Sequence, residues 1–267
     1  MGKRHRSWLM GGNGRRLLYL RDLLRELVVR DMKLRYKRSV LGVAWSLLNP
    51  LGQLLVFSAV FRFLLPLNIP NYAAFLFTGL LAWSWFQSSV LLATGAIVGN
   101  RELIQQPGFP MVVLPVVTVT THLIHYLLAL PILLLFLFFS GISLGTAVLA
   151  LPFLIILQYL FTLAIAYFVA TIHVVFRDTE HLLSIFLLLL FYLTPIFYDA
   201  GALPAPYRAI YNLNPLVHLM EAYRAILMQN QLPPFLPLGV IGLLTAVLLV
   251  IGYRLFIQTS YRFVEEL

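Results

Sequence analysis

The stretch from Arg30 to Leu51 sets the terms for the whole chain. Arg30, Lys33, Arg35, Lys37 and Arg38 crowd into nine residues, offset only by Asp31, and the next charge after them is Arg62. A sharp step from basic to uncharged apolar sequence marks a helix that enters a bilayer. The cations stay at the anionic, non-translocated surface and the apolar run goes in. Composition extends that conclusion to the full length. With 61% hydrophobic and 11% charged residues and a mean hydropathy of +0.89, the chain has too much apolar surface for water, so it is a polytopic membrane protein. The formal net charge of +9 is concentrated in the first 38 residues, and there it fits a membrane surface better than nucleic acid. The chain has no cysteine, which excludes a disulfide framework and thiol chemistry. Its first forty residues are basic and amphipathic, without the apolar core and cleavage site of a signal peptide.

Periodicity then divides the chain. Leu17, Leu20, Leu24, Leu27 and Val28 recur at helical spacing, with Arg15, Arg16, Arg21, Asp22, Arg25 and Glu26 on the other side. This predicts an amphipathic helix lying in the membrane interface; a helix packed on a partner is the alternative. Apolar runs predict six spans: Leu41–Leu65, Ala73–Val98, Met111–Phe139, Thr146–His173, Leu182–Tyr198 and Leu236–Ile257. Pro131 is expected to kink the third. Residues 199–235 are too long and too apolar for a plain loop. They read as two short helices, Pro206–Leu213 and Pro215–Met228, each with proline in its first turn and neither long enough to span. A re-entrant or surface-lying pair describes them best. The expected fold is therefore an all-α membrane protein. Residues 1–38 form a basic tail and interfacial helix, and residues 39–267 a six-helix transmembrane domain with the helical pair between its fifth and sixth helices. Apart from Arg62, Arg208 and Arg224, every Lys and Arg lies in the terminal segments or in the loops at 99–110 and 174–181, so both termini are expected in the cytoplasm.

No energy source is visible. None of Lys3, Lys33 and Lys37 stands in a GxxxxGK[ST] phosphate-binding loop, so ATP-driven transport needs an ATPase on another polypeptide. Its docking points are expected on the N-terminal helix, on the loop with Arg101, Glu102, Leu103 and Ile104, or on the loop with Arg177, Asp178 and Glu180. Leu103 and Ile104 would offer apolar anchors to a partner groove. No carboxylate lies mid-span, which argues against a proton- or sodium-coupled carrier. His122 and His125 share a helix face and read as hydrogen-bonding partners of a neighbouring helix, with a proton relay as the alternative. Glu221 and Arg224 are one turn apart and are expected to pair. No second carboxylate, metal-ligand spacing or Ser-His pairing accompanies Glu221, so the chain reads as a transport subunit and not an enzyme. Tyr36, Trp45, Phe57, Phe61, Trp83, Trp85 and Phe86 are candidates to stack on sugar rings along a channel, although aromatics near span ends ordinarily form interfacial belts.

The order RDxKxRYxxSxLGxxWxxxxPL over Arg30–Leu51, FRDTEH at Phe176–His181 and NPLVHLMEAYRAIL at Asn214–Leu227 resemble ABC-2 type permeases. The likeness is greatest to those that export O-antigen, capsule or teichoic-acid polymers. The resemblance implies two copies of the chain, each docked to one cytoplasmic ATPase that binds ATP and Mg²⁺, with no cofactor in this chain. It implies a lipid-linked glycan as substrate, in the inner membrane of a bacterium, with O-antigen the favoured polymer. Arg101 to Ile104 would be the coupling helix and residues 174–181 a second ATPase contact. Residues 199–235, with Tyr207, Asn214, Pro215, Glu221 and Arg224, would be the outer gate. Multidrug ABC-2 exporters share this topology, but the Arg30–Leu51 motif argues against a small-amphiphile substrate.

Overall fold

The computed structural model describes residues 13–37, 44–61, 69–199, 201 and 211–266. Every regular element among them is helical, as hydrocarbon demands of a chain that must pair its own backbone groups. The α-helices are α1 (Asn13–Tyr36), α2 (Trp45–Ala59), α3 (Tyr72–Thr94), α4 (Arg101–Ile104), α5 (Val113–Phe139), α6 (Leu151–Val175), α7 (Thr179–Leu193), α8 (Pro215–Leu227) and α9 (Phe235–Glu266). Short 3-10 turns at Val98–Asn100 and Thr146–Ala150 lead into α4 and α6.

Four segments are long and apolar enough to cross a membrane: Tyr72–Thr94, Val113–Phe139, Thr146–Val175 and Phe235–Tyr261. They match the second, third, fourth and sixth expected spans. α5 runs unbroken through Pro131. The other two expected spans are shorter where described. α2 covers 15 residues, and the rest of Leu41–Leu65 lies largely outside the described residues. α7 also covers 15, about 22 Å at 1.5 Å per residue against a ~30 Å hydrocarbon core. It stops at Leu193 because Thr194 is extended (φ −100°, ψ 135°), the conformation favoured before the ring of Pro195. The predicted helix to Tyr198 is thus replaced by a turn. Of the predicted short pair, the second helix forms as α8, while Pro206–Leu213 falls mostly outside the described residues.

α3 is the centre of the bundle, with 72% of its apolar window buried, and it packs on α2, α5, α6, α7 and α8. α9 is peripheral, with 22% buried, and is held chiefly by α6. Exposed leucines and phenylalanines on α5, α7 and α9 (Leu135, Leu189, Leu243 among them) form the lipid-facing surface. Several polar side chains inside are satisfied locally or across helices, while others, Thr121 and Thr245 among them, have no hydrogen-bond partner. Thr78, Ser89 and Thr162 donate to the carbonyl four residues back, at 2.9, 2.7 and 2.7 Å. The buried Gln158 amide donates to the Ala82 carbonyl (2.9 Å) and ties α6 to α3.

Part of the apolar side of α1 packs on the bundle. Leu27 and Val28 are buried against Val113 and Val117 of α5, with Leu20, Leu23 and Leu24 alongside. Its predicted apolar stripe is spent on this chain's own third span.

Gly252 is where α9 meets α6. A Cβ there would lie 3.0 Å from the Phe168 ring and 3.2 Å from the Ala164 carbonyl. Gly252→Leu is expected to force the helices apart at a cost of about 1–3 kcal/mol. Thermal unfolding in detergent checks this, with Gly239→Leu, which has open space around it, expected to melt near the parent temperature.

Candidate functional site: the two ends of the bundle

At one end, α3 runs through the Val98–Asn100 turn into α4. Arg101 and Glu102 are exposed, Leu103 is half-buried and Ile104 is 3% exposed. Ile104 therefore anchors α4 into its own bundle and is not available to a partner, contrary to the sequence expectation. Leu103 also packs on this chain's apolar clusters. What α4 presents outward is the Arg101–Glu102 pair of charges. Arg30 of α1 donates to the Asn100 side chain at 2.6 Å, and the Asn100 amide donates to the Ala96 carbonyl at 2.9 Å. α1 is thus fastened to the turn that carries α4. On the loop between α6 and α7, Arg177, Asp178 and Glu180 are all exposed.

At the other end, Pro215 opens α8, and Asn214 caps it by accepting from the Leu216 N–H at 3.0 Å. The Asn214 amide donates to the Thr194 hydroxyl at 3.1 Å, so one side chain starts α8 and joins it to the end of α7. Arg224 is 5% exposed. It donates to the carbonyls of Pro195 and Ile196 at 2.7 and 2.8 Å and lies 3.4 Å over the Phe75 ring. Gly79 of α3 leaves room for it, since a Cβ there would stand 2.9 Å from the guanidinium. The expected Glu221–Arg224 pair gives way to this arrangement. The carbonyls of Pro195 and Ile196 are buried, where an acceptor without a donor is costly, and Arg224 supplies the donors. Glu221 is half exposed, with its carboxylate 3.9 Å from His218 Nδ1. Burial pushes its carboxyl above the usual range, and the opposing fields of His218 and Arg224 lower it in part. Tyr207 lies outside the described residues.

Between the ends runs an aromatic seam. Phe57 stacks on Phe61 (6.1 Å) and Phe197 (5.5 Å), Phe191 joins Phe57 to Trp83 (6.0 and 5.7 Å), and Phe86 stacks on Phe161 (6.0 Å). Trp83, Trp85 and Phe86 are buried, Trp85 against Tyr126 at 5.0 Å. Enclosed by the bundle, these three have no surface to offer a sugar, a correction to their expected place along a channel. Phe57 and Phe61 are half-buried and Trp45 is exposed; the Tyr36 side chain lies outside the described residues. His125 meets Met32 of α1 (3.1 Å), as expected of a contact with a neighbouring helix, whereas His122 bonds the Thr118 carbonyl of its own helix (2.8 Å).

The sequence profile of the ABC-2 type transporter matches residues 22–228, a stretch that takes in α2 to α8 and most of α1. The chain belongs to the ABC-2 type transporter family. Among curated relatives of this ABC-2 protein is the O-antigen export system permease protein RfbA of Myxococcus xanthus, 36% identical over 259 residues, which covers 95% of this chain and 98% of the relative. RfbA of Klebsiella pneumoniae is 33% identical over 250 residues, 93% and 96% of the two chains. The polysialic acid transport protein KpsM of Escherichia coli is 24% identical over 237 residues, 86% and 90%. Members of this family are transport components, and with four long apolar helices this one is a multi-pass membrane protein.

Three contacts of this ABC-2 chain had no signature in the sequence: Arg224 with the 195–196 carbonyls, Asn214 with Thr194, and Arg30 with Asn100. Asn-Pro ahead of an apolar run signals a helix start, and that alone was legible. Arg224→Ala is expected to lower thermal stability by about 3 kcal/mol, because it strands two buried acceptors. Arg224→Lys is expected to restore little of it, since an ammonium neither forks to two carbonyls nor stacks as a plane. Melting curves in lipid or detergent measure both.

Proposed function

We propose that this protein is the membrane subunit of an ATP-driven exporter that moves lipid-linked O-antigen across the bacterial inner membrane. The observation that carries the proposal is near full-length similarity to two O-antigen export permeases at 36% and 33% identity, against 24% for the polysialic acid transporter. Capsule export is the second reading and rests on that weaker match. In this reading two copies of the chain pair, and each docks one ATPase that binds ATP and Mg²⁺. Each copy crosses the membrane six times, with α2 and α7 among the crossing segments, and both termini are cytoplasmic.

The geometry then divides the work. α4 presents Arg101 and Glu102 to the ATPase, and Arg177, Asp178 and Glu180 form a second contact. Ile104 and the Arg30–Asn100 bond pass the push into α3 and α1 together. Along the outward side of α1, Arg25, Arg30, Lys33 and Lys37 border an open groove of about 1150 Å³, a basic surface where a lipid-linked anionic group can approach. α8, with Asn214, Pro215, Glu221 and Arg224, is the outer gate, and Trp45, Phe57 and Phe61 are the aromatics left to face the polymer.

Glu102→Arg is expected to cut export about tenfold, the scale of a ~1.4 kcal/mol coupling, while ATP turnover continues. Unchanged export in vesicles would remove α4 from the coupling path. Topology has its own check, because the chain lacks cysteine. A membrane-impermeant maleimide should label Asp178→Cys only from the cytoplasmic face and Asp199→Cys only from the outside. The reverse pattern would overturn the orientation.

A further inference from the structure

At the α8 end a cavity of about 660 Å³ opens between the start of α3, the turn after α7, α8 itself and the linker into α9. Its size lies within the ~300–1,000 Å³ range of small-molecule sites. Its polar lining comes from Asn71 of the α3 N-cap, Asp199, His218, Glu221, Arg224, Gln229 and Gln231. The remaining wall, which includes Ile142, Pro237 and Leu238, is apolar.

This combination selects a class of ligand. Carboxylates and primary amides are planar groups with two polar atoms, each able to meet two adjacent hydroxyls at once. An apolar wall opposite them suits the C–H face of a sugar ring. The charge is close to balanced, with two carboxylates against one guanidinium and an imidazole. A phosphate or sulfate would have to approach both Asp199 and Glu221, so like-charge repulsion disfavours it. The site is also tied to α8, because five of the seven polar residues lie in that helix (His218, Glu221, Arg224) or just past its C-cap (Gln229, Gln231). The linker is held in place by a neighbour: Asn230 accepts from the Ala147 N–H at 3.2 Å.

We propose that this cavity is a saccharide-binding site, which takes a neutral stretch of two or three sugar rings from the emerging polymer. The proposal rests on the exporter reading for its outward orientation and for the source of the sugar.

The test uses the full complex with its ATPase in lipid nanodiscs. Mannotriose, galactotriose and maltotriose serve as probes, read by saturation-transfer NMR and compared with inorganic phosphate and with Mg²⁺ alone. At least one trisaccharide should bind saturably. Ala225→Trp, which fills the cavity from α8 without removing a polar group, should weaken that binding more than tenfold, and Gln231→Ala should weaken it in the same direction. ATP turnover equal to the parent's shows that Ala225→Trp has folded. Saccharide binding that is absent, or that survives Ala225→Trp, overturns the proposal, as does competition by phosphate or a strict need for Mg²⁺. Export of O-antigen is measured separately. A complex that exports but binds no sugar in this cavity defeats only the inference, whereas one that binds sugar and exports nothing defeats the exporter reading.

Discussion

A buried carbonyl that leaves helical geometry must find a donor, and much of this structure follows from how one such turn is satisfied. α7 ends at Leu193, and Pro195 prevents the helix from continuing. Two carbonyls are released, and Arg224 takes both. The guanidinium is itself costly to bury, and the Phe75 face, the two carbonyls and the fields of Asp199 and Glu221 together offset that cost. Its position fixes α8 against α3, and α8 in turn carries Asn214 to Thr194. A chain break that would be forbidden against lipid becomes the seat of a helix.

The sequence made the helical class, four long spans, the start of α8 at Pro215 and the short charged segment at Arg101 legible, because each depends on local pattern. Hydrocarbon admits only helices at this composition, proline marks a first turn, and charge marks a chain exit. It misjudged what depends on tertiary partners. Leu103 and Ile104 look like anchors for another protein until α5 is placed beside them. The stripe on α1 looks like a lipid-facing surface until Val113 and Val117 cover it. Trp83, Trp85 and Phe86 have the composition of a stacking surface, yet their neighbours enclose them. Glu221 and Arg224 have ideal spacing for a pair, but helical spacing cannot show that two carbonyls wait across the gap from α7.

α3 meets both ends of the bundle. Its N-terminal half touches Arg224 at Gly79, and its C-terminal end leads directly into Asn100 and α4. Between them it is enclosed by side chains packed at interior density, so it can tilt or slide as a body but has little freedom to bend. In the proposed exporter, α3 is the element that would carry a displacement of α4 to the seat of α8.

Gly79 and Arg224 also restrict how this protein can drift in sequence. A methyl group at 79 meets the guanidinium, and a shorter residue at 224 leaves a hollow beside α3 along with two orphaned acceptors. A change at either position is therefore felt at the other. Glycine at a site of helix contact usually counts as weak information about a family. Here it is half of an epistatic pair.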